Sequence, residues 1–142
     1  MYIFSVFLIV SGCAEKSLTV DADYPGGNIL VDKIEGDTVY LRQDMRDTEG
    51  WWFYWNFRAR GAAGRNITFN MDSGRNPSGS GSPIGVRGPA VSTDGGKTWF
   101  WLGRDAVEGA SFSYAFSADN DEVYFCMGMP YQEADLQSFL KR

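Results

Sequence analysis

The stretch Trp51-Trp52-Phe53-Tyr54-Trp55-Asn56-Phe57-Arg58-Ala59-Arg60 decides the fold. Trp51, Phe53, Trp55 and Phe57 alternate with Trp52, Tyr54, Asn56 and Arg58, the two-residue period that sends successive side chains to opposite faces of a strand. One face is wholly apolar and is expected to lie against a core. The other begins aromatic and turns cationic, which makes Trp52, Tyr54, Arg58 and Arg60 a candidate surface for a ligand or another domain. The competing expectation is that Trp52 and Tyr54 are core residues of a second layer.

Strand signals continue on both sides. Residues 28–34 and 38–43 read as a hairpin closed by Gly36-Asp37, and Gly61-Ala62-Ala63-Gly64 connects to a strand at 66–71. Residues 72–89 are rich in Gly, Ser and Pro and predict a long loop, with room for a short strand at 84–87. Residues 90–93 and 98–102 flank Asp94-Gly95-Gly96-Lys97, a hairpin signal because Asp-Gly and Gly-Gly accept positive φ at little cost. Phe112, Tyr114 and Phe116 alternate with small residues over 111–117, while 122–129 is apolar on both faces and predicts a central buried strand. Pro130 ends it, and Leu136, Phe139 and Leu140 stand at helical spacing in a short terminal helix over 133–141. About eight short strands separated by turns predict an all-β chain, an antiparallel β-sandwich over residues 28–142.

Composition agrees and narrows the chemistry. The chain has 142 residues, 44% hydrophobic and 15% aromatic, with 17 glycines, two cysteines and no histidine. A single domain of this length buries a core without metal or disulfide staples. Lack of histidine removes Ser-His-Asp triads, Cys-His dyads, His-based metal sites and histidine general bases, and leaves carboxylate pairs as the open route to catalysis. The net charge of −5 and the scattered bases give no footprint for nucleic acid or for an anionic membrane.

Residues 1–10 are apolar apart from Ser5 and run into Ser11-Gly12-Cys13. About ten residues are too few to span a bilayer but suit the apolar part of a secretory leader. Val10-Ser11-Gly12-Cys13 resembles a bacterial lipobox, so residues 1–13 are expected to be a signal peptide ending at a lipidated Cys13, with 14–27 a polar tether. This leader lacks an initial Lys or Arg. A hydrophobic first strand with a free cysteine is the alternative. The lipobox implies a secreted, periplasmic or cell-envelope lipoprotein that touches the membrane only through its N-terminal lipid.

Three motifs invite a chemical reading. Ser92-Thr93-Asp94-Gly95-Gly96-Lys97-Thr98-Trp99 matches the Asp-box of sialidases and other propellers, but a propeller needs at least four blades of about 40 residues, so one box reads as a turn. Gly79-Ser80-Gly81-Ser82-Pro83-Ile84-Gly85 lacks the Lys-Ser/Thr ending and the helix of a phosphate cradle. Asp119-Asn120-Asp121-Glu122 lacks the spacing of a calcium loop and reads as a solvated turn. Cys126, in an apolar strand, is expected to be an inert core residue.

Taken together, three blocks resemble the N-terminal β-sandwich domain of zinc metallocarboxypeptidases of the cytosolic-carboxypeptidase type. They are Trp51 through Arg58 with Gly61 and Ile67-Thr68-Phe69-Asn70; Val91-Ser92 through Trp99-Phe100-Trp101-Leu102-Gly103; and Ser111 through Phe116 leading to Asp121 through Cys126 and Met129-Pro130-Tyr131. The resemblance implies a non-catalytic accessory domain, with Tyr131 and the following helix leading toward the peptidase domain. It implies partners in that domain and in the peptide substrate of the parent enzyme. The family's zinc ligands, a His-x-x-Glu pair and a later His, map to no position here, so no cofactor is expected in this chain and zinc is expected in the catalytic domain. Two rival functions are a surface carbohydrate-binding module that stacks Trp52 or Tyr54 on sugar rings, and a fragment of a sialidase-like protein.

Overall fold

The computed structural model describes residues 16–46, 54–71 and 82–142. Ten strands, a 3-10 turn (Arg104–Ala106) and one helix appear among them: β1 (Thr19–Asp21), β2 (Leu30–Glu35), β3 (Thr38–Arg42), β4 (Asn56–Arg60), β5 (Asn66–Asn70), β6 (Ala90–Ser92), β7 (Phe100–Trp101), β8 (Val107–Glu108), β9 (Ser111–Ala115), β10 (Glu122–Cys126) and α1 (Glu133–Leu140). They form two five-stranded sheets, ordered β1-β4-β10-β6-β7 and β2-β3-β5-β9-β8. The expected all-β sandwich with a short C-terminal helix is therefore present.

Alternation at β4 does what the sequence demands. Trp55, Phe57 and Ala59 are fully buried, and Phe57 lies opposite Phe125 of β10 in register. From the other sheet Phe69 and Phe112 enter the core with Val39, Leu41 and Ile67, the two rings 5.0 Å apart between centroids. Phe69 also lies 5.1 Å from Phe57 and 4.9 Å from Phe125, so four rings lock the sheets together. Burying each such ring contributes about 1.5–3 kcal/mol, more where ring pairs add their own attraction. The Trp55 indole N–H donates to the Pro83 carbonyl at 2.8 Å, which satisfies the polar atom of an otherwise apolar residue.

Both predicted hairpins form. β2 pairs antiparallel with β3 around Gly36, whose φ of 58° is in the left-handed region, and β6 pairs with β7 across the Asp-box. β10 is the central strand of its sheet, with Val123, Phe125 and Cys126 buried, as its double-sided apolarity predicts. Three features depart from the sequence reading. β3 and β5 pair in parallel, because the chain crosses to the other sheet for β4 before it returns. Residues 19–21, inside the stretch expected to be a tether, form β1 on the edge of β4. The short strand expected at 84–87 is absent. Trp51, Trp52, Cys13 and the glycine-rich stretch up to Gly81 lie outside the described residues.

Candidate functional site

The outer face of the β1-β4-β10 sheet carries two adjoining clusters. The first follows from register, since Asp21, Arg58 and Tyr124 stand side by side across three strands. Arg58 Nη2 donates to Asp21 Oδ1 at 2.8 Å and Arg60 Nη2 to Asp21 Oδ2 at 2.7 Å, so one carboxylate holds both guanidiniums. Arg58 Nη1 donates to the Tyr124 hydroxyl at 3.4 Å and lies 3.6 Å from Glu122 Oε2. Its guanidinium also sits 5.5 Å from the Tyr24 ring centroid. Partial burial pushes the Asp21 carboxyl up, but the hydrogen bond and charge of Arg58, the Asp23 N–H and the charge of Arg60 outweigh it and hold the pKa below its ordinary value. The hydrogen bond to Asp21, against partial burial, raises the pKa of Arg58. What the sequence suggests as a cationic face is an internally neutralised network.

The second cluster binds the segment 22–28 onto the sheet. Tyr24 O–H donates to Asn56 Oδ1 at 2.9 Å, Asn56 Nδ2 donates to the Tyr54 hydroxyl at 3.2 Å, and Tyr54 O–H donates to the Gly26 carbonyl at 2.7 Å. Asn56 is fully buried by this cover, and burial raises the pKa of both Tyr24 and Tyr54. Gly27 makes the close approach possible: a Cβ there would lie 2.1 Å from the Ala22 carbonyl oxygen. Beyond the cover lies an open groove of ≈ 740 Å³, lined by Pro25, Gly26, Tyr54, Pro130, Tyr131 and Gln137 among others.

Of the residues singled out from sequence, the structure brings Tyr54 and Tyr131 to this groove and sets Arg58 and Arg60 in the neighbouring salt-bridge network. Asp21, Glu122, Tyr24 and Tyr124, which define both clusters, were missed. Asp21 and Tyr24 meet partners far along the chain, and the reading of 122–129 as apolar on both faces gave no sign of an outward Glu122 and Tyr124.

The motifs behave as turns. Asp94 accepts from Ser92 Oγ at 2.8 Å, Lys97 N at 3.0 Å, Thr98 N at 2.9 Å and Thr98 Oγ1 at 2.6 Å, and the Trp99 indole donates to the Gly96 carbonyl at 3.0 Å. Thr98 foremost, with Ser92 and the Lys97 N–H, lowers the Asp94 pKa to about 2. In the acidic turn Asp121 pairs with Lys16 at 2.7 Å and Asn120 Nδ2 donates to the Thr93 carbonyl at 3.0 Å. Among the described residues no three His, Cys, Asp or Glu side chains gather as a metal site. Cys126 is buried, and burial pushes its thiol pKa up, away from the thiolate a metal needs. The described residues therefore do not fit a zinc ion.

No curated protein matches the chain. Among solved structures it is similar to a protein of Burkholderia mallei assigned as a carboxypeptidase (TM-score 0.70, 21% identity, 89% of this chain and 32% of that one). It is also similar to a metallo-carboxypeptidase of Burkholderia cenocepacia (TM-score 0.68, 19% identity, 88% and 32%). A third is the metallo-carboxypeptidase of Pseudomonas aeruginosa, solved with (2-guanidinoethylmercapto)succinic acid (TM-score 0.67, 22% identity, 87% and 33%). At such identities the likeness is one of fold, and the chain spans about a third of each of these proteins. The family model described as the cytosolic carboxypeptidase N-terminal domain matches residues 20–127, and the chain belongs to that family.

Proposed function

We propose that this chain is the non-catalytic N-terminal accessory domain of a zinc carboxypeptidase, in which a following domain binds zinc and removes C-terminal residues from peptides. The observation that carries the reading is the match over residues 20–127 to a family defined as an N-terminal domain, in a chain that spans a third of the metallo-carboxypeptidases it resembles. Absence of histidine from the sequence and the lack of a donor cluster among the described residues support placing the metal elsewhere. Lipidation of Cys13 would hold such an enzyme at the bacterial cell envelope, with the membrane contacted only by the acyl chains.

The reading frame beyond Arg142 tests the proposal directly. A segment with a His-x-x-Glu pair and a later His, whose joined product hydrolyses peptide C-termini, is the expected result. A frame that closes without such a segment overturns it. Specific glycan binding by the 142-residue chain, lost on Tyr131→Ala, would instead favour the carbohydrate-binding module.

A further inference from the structure

The chain enters and leaves the sandwich at opposite ends. β1 runs from Thr19, opposite Arg60, to Asp21, opposite Arg58, and β10 runs from Glu122, opposite Arg60, to Cys126, opposite Asn56. The Arg60 end therefore receives the N-terminal segment, while the Asn56 end carries Tyr54, the groove and α1. Strand β4 alone, at about 3.3 Å per residue, puts about 13 Å between them.

Three turns close the Arg60 end. Arg65 Nε donates to Asp37 Oδ1 at 2.9 Å and joins the β2-β3 turn to the β4-β5 connection. Gly64 N–H donates to the Ser117 carbonyl at 3.3 Å and Gly61 N–H to the Asp121 carbonyl at 3.2 Å, which adds the turn before β10. The N-terminal segment is seated on the same end. Lys16 Nζ donates to Asp121 Oδ2 at 2.7 Å, Leu18 is buried in the core, and a Cβ on Gly61 would come within 2.2 Å of the Ser17 carbonyl oxygen. The stretch expected to be a tether is thus seated on the fold from Lys16 onward.

Only Ala14 and Glu15 stand between Cys13 and that seated chain. Three residue steps reach at most about 11 Å. We infer that, with Cys13 lipidated, the Arg60 end of the sandwich, formed by the turns at 36–37, 61–65 and 117–121, faces the lipid headgroups, and the groove end points away from the bilayer. This rests on the lipidation of Cys13 proposed above. The spacer decides the geometry: a flexible tether over the whole of 14–27 would reach about 20 Å r.m.s. and let either end approach, whereas a spacer of two residues does not. Charge does not hold this end down. Lys16 is paired with Asp121 and Arg65 with Asp37, so the surface offers no excess of bases to anionic lipid. Short attachment, not surface affinity, sets the orientation.

The test places a single reporter thiol at either end, Ala63→Cys on the Arg60 end and Gln137→Cys at the groove, both exposed positions. Cys126 is buried and does not compete. The 142-residue chain, expressed in a bacterium and purified from its membranes, is added to phosphatidylcholine vesicles and treated with a bulky polyethylene-glycol maleimide. Relative to detergent solution, vesicles are expected to slow the reaction of Ala63→Cys about tenfold and that of Gln137→Cys by about twofold at most, given an attachment of about 11 Å. Inserting about 20 Gly/Ser residues between Ala14 and Glu15, about 25 Å of r.m.s. reach, is expected to bring the two rates together. Equal slowing at both ends of the acylated chain, or a difference that survives the insertion, would overturn the orientation while leaving lipidation standing. A chain whose mass shows no acyl groups would overturn both.

Discussion

Two apolar surfaces of the chain meet opposite fates. Phe57, Phe69, Phe112 and Phe125 are closed between the sheets with their rings in mutual contact, whereas Leu136, Phe139 and Leu140 repeat at helical spacing and stay open. Both sets arise from regular sequence patterns, one of period two and one of period three to four. The difference lies in what stands opposite: the sandwich supplies a second sheet for the first, and among the described residues no strand pairs with or buries the second. The sandwich closes its own core, while α1 has no buried residue.

Substitutions can break this contrast in graded steps. Phe69→Ala removes the ring that touches Phe57, Phe112 and Phe125, and chemical denaturation should show a loss of about 3–5 kcal/mol. Gly61→Ala puts a Cβ 2.2 Å from the Ser17 carbonyl oxygen at a φ of 77°, so β4 and the chain leading to β1 must separate. The same measurement should show about 1–3 kcal/mol. Asp21→Ala leaves Arg58, partly buried, without its main acceptor, at a cost of about 1–3 kcal/mol.

The same network sets a pH dependence. The Asp21 pKa is lowered in the folded chain from an ordinary 3.8, so its contribution is complete above that value and is lost as pH falls through the lowered one. Thermal melts should lose Tm on acidification below about pH 4, and less steeply in Asp21→Ala. Asp94 behaves alike: NMR titration of its carboxyl should give a midpoint of about 2, moving back toward the ordinary value in Thr98→Val. The smallest effect is expected at Phe139→Ser, with Tm unchanged within about 1 °C, because the side chain is 65% exposed.

Legibility in the sequence followed the range of the interaction. β4, the Asp-box hairpin and α1 could be read because alternation, Asp-Gly-Gly and helical spacing are local. Arg58 could be placed on the outer face, but not its neutralisation, since Asp21 is 37 positions away and sits on a three-residue strand too short to show a period. The parallel pairing of β3 with β5 was equally hidden, because direction depends on the crossover through β4 rather than on any residue of either strand. Tyr54 and Tyr131 share a groove only because α1 and the 22–28 cover end on the same side of the sheet. In physical terms, faces and turns are written in neighbouring residues, while charge balance and grooves arise from register between distant ones.

The central proposal is that this domain holds no peptidase chemistry of its own. Calorimetric titration of the purified 142-residue chain with zinc, coupled to an assay for release of C-terminal amino acids, tests it most directly. No stoichiometric zinc binding and no hydrolysis are predicted. One zinc per chain with hydrolysis that a chelator abolishes would contradict the account.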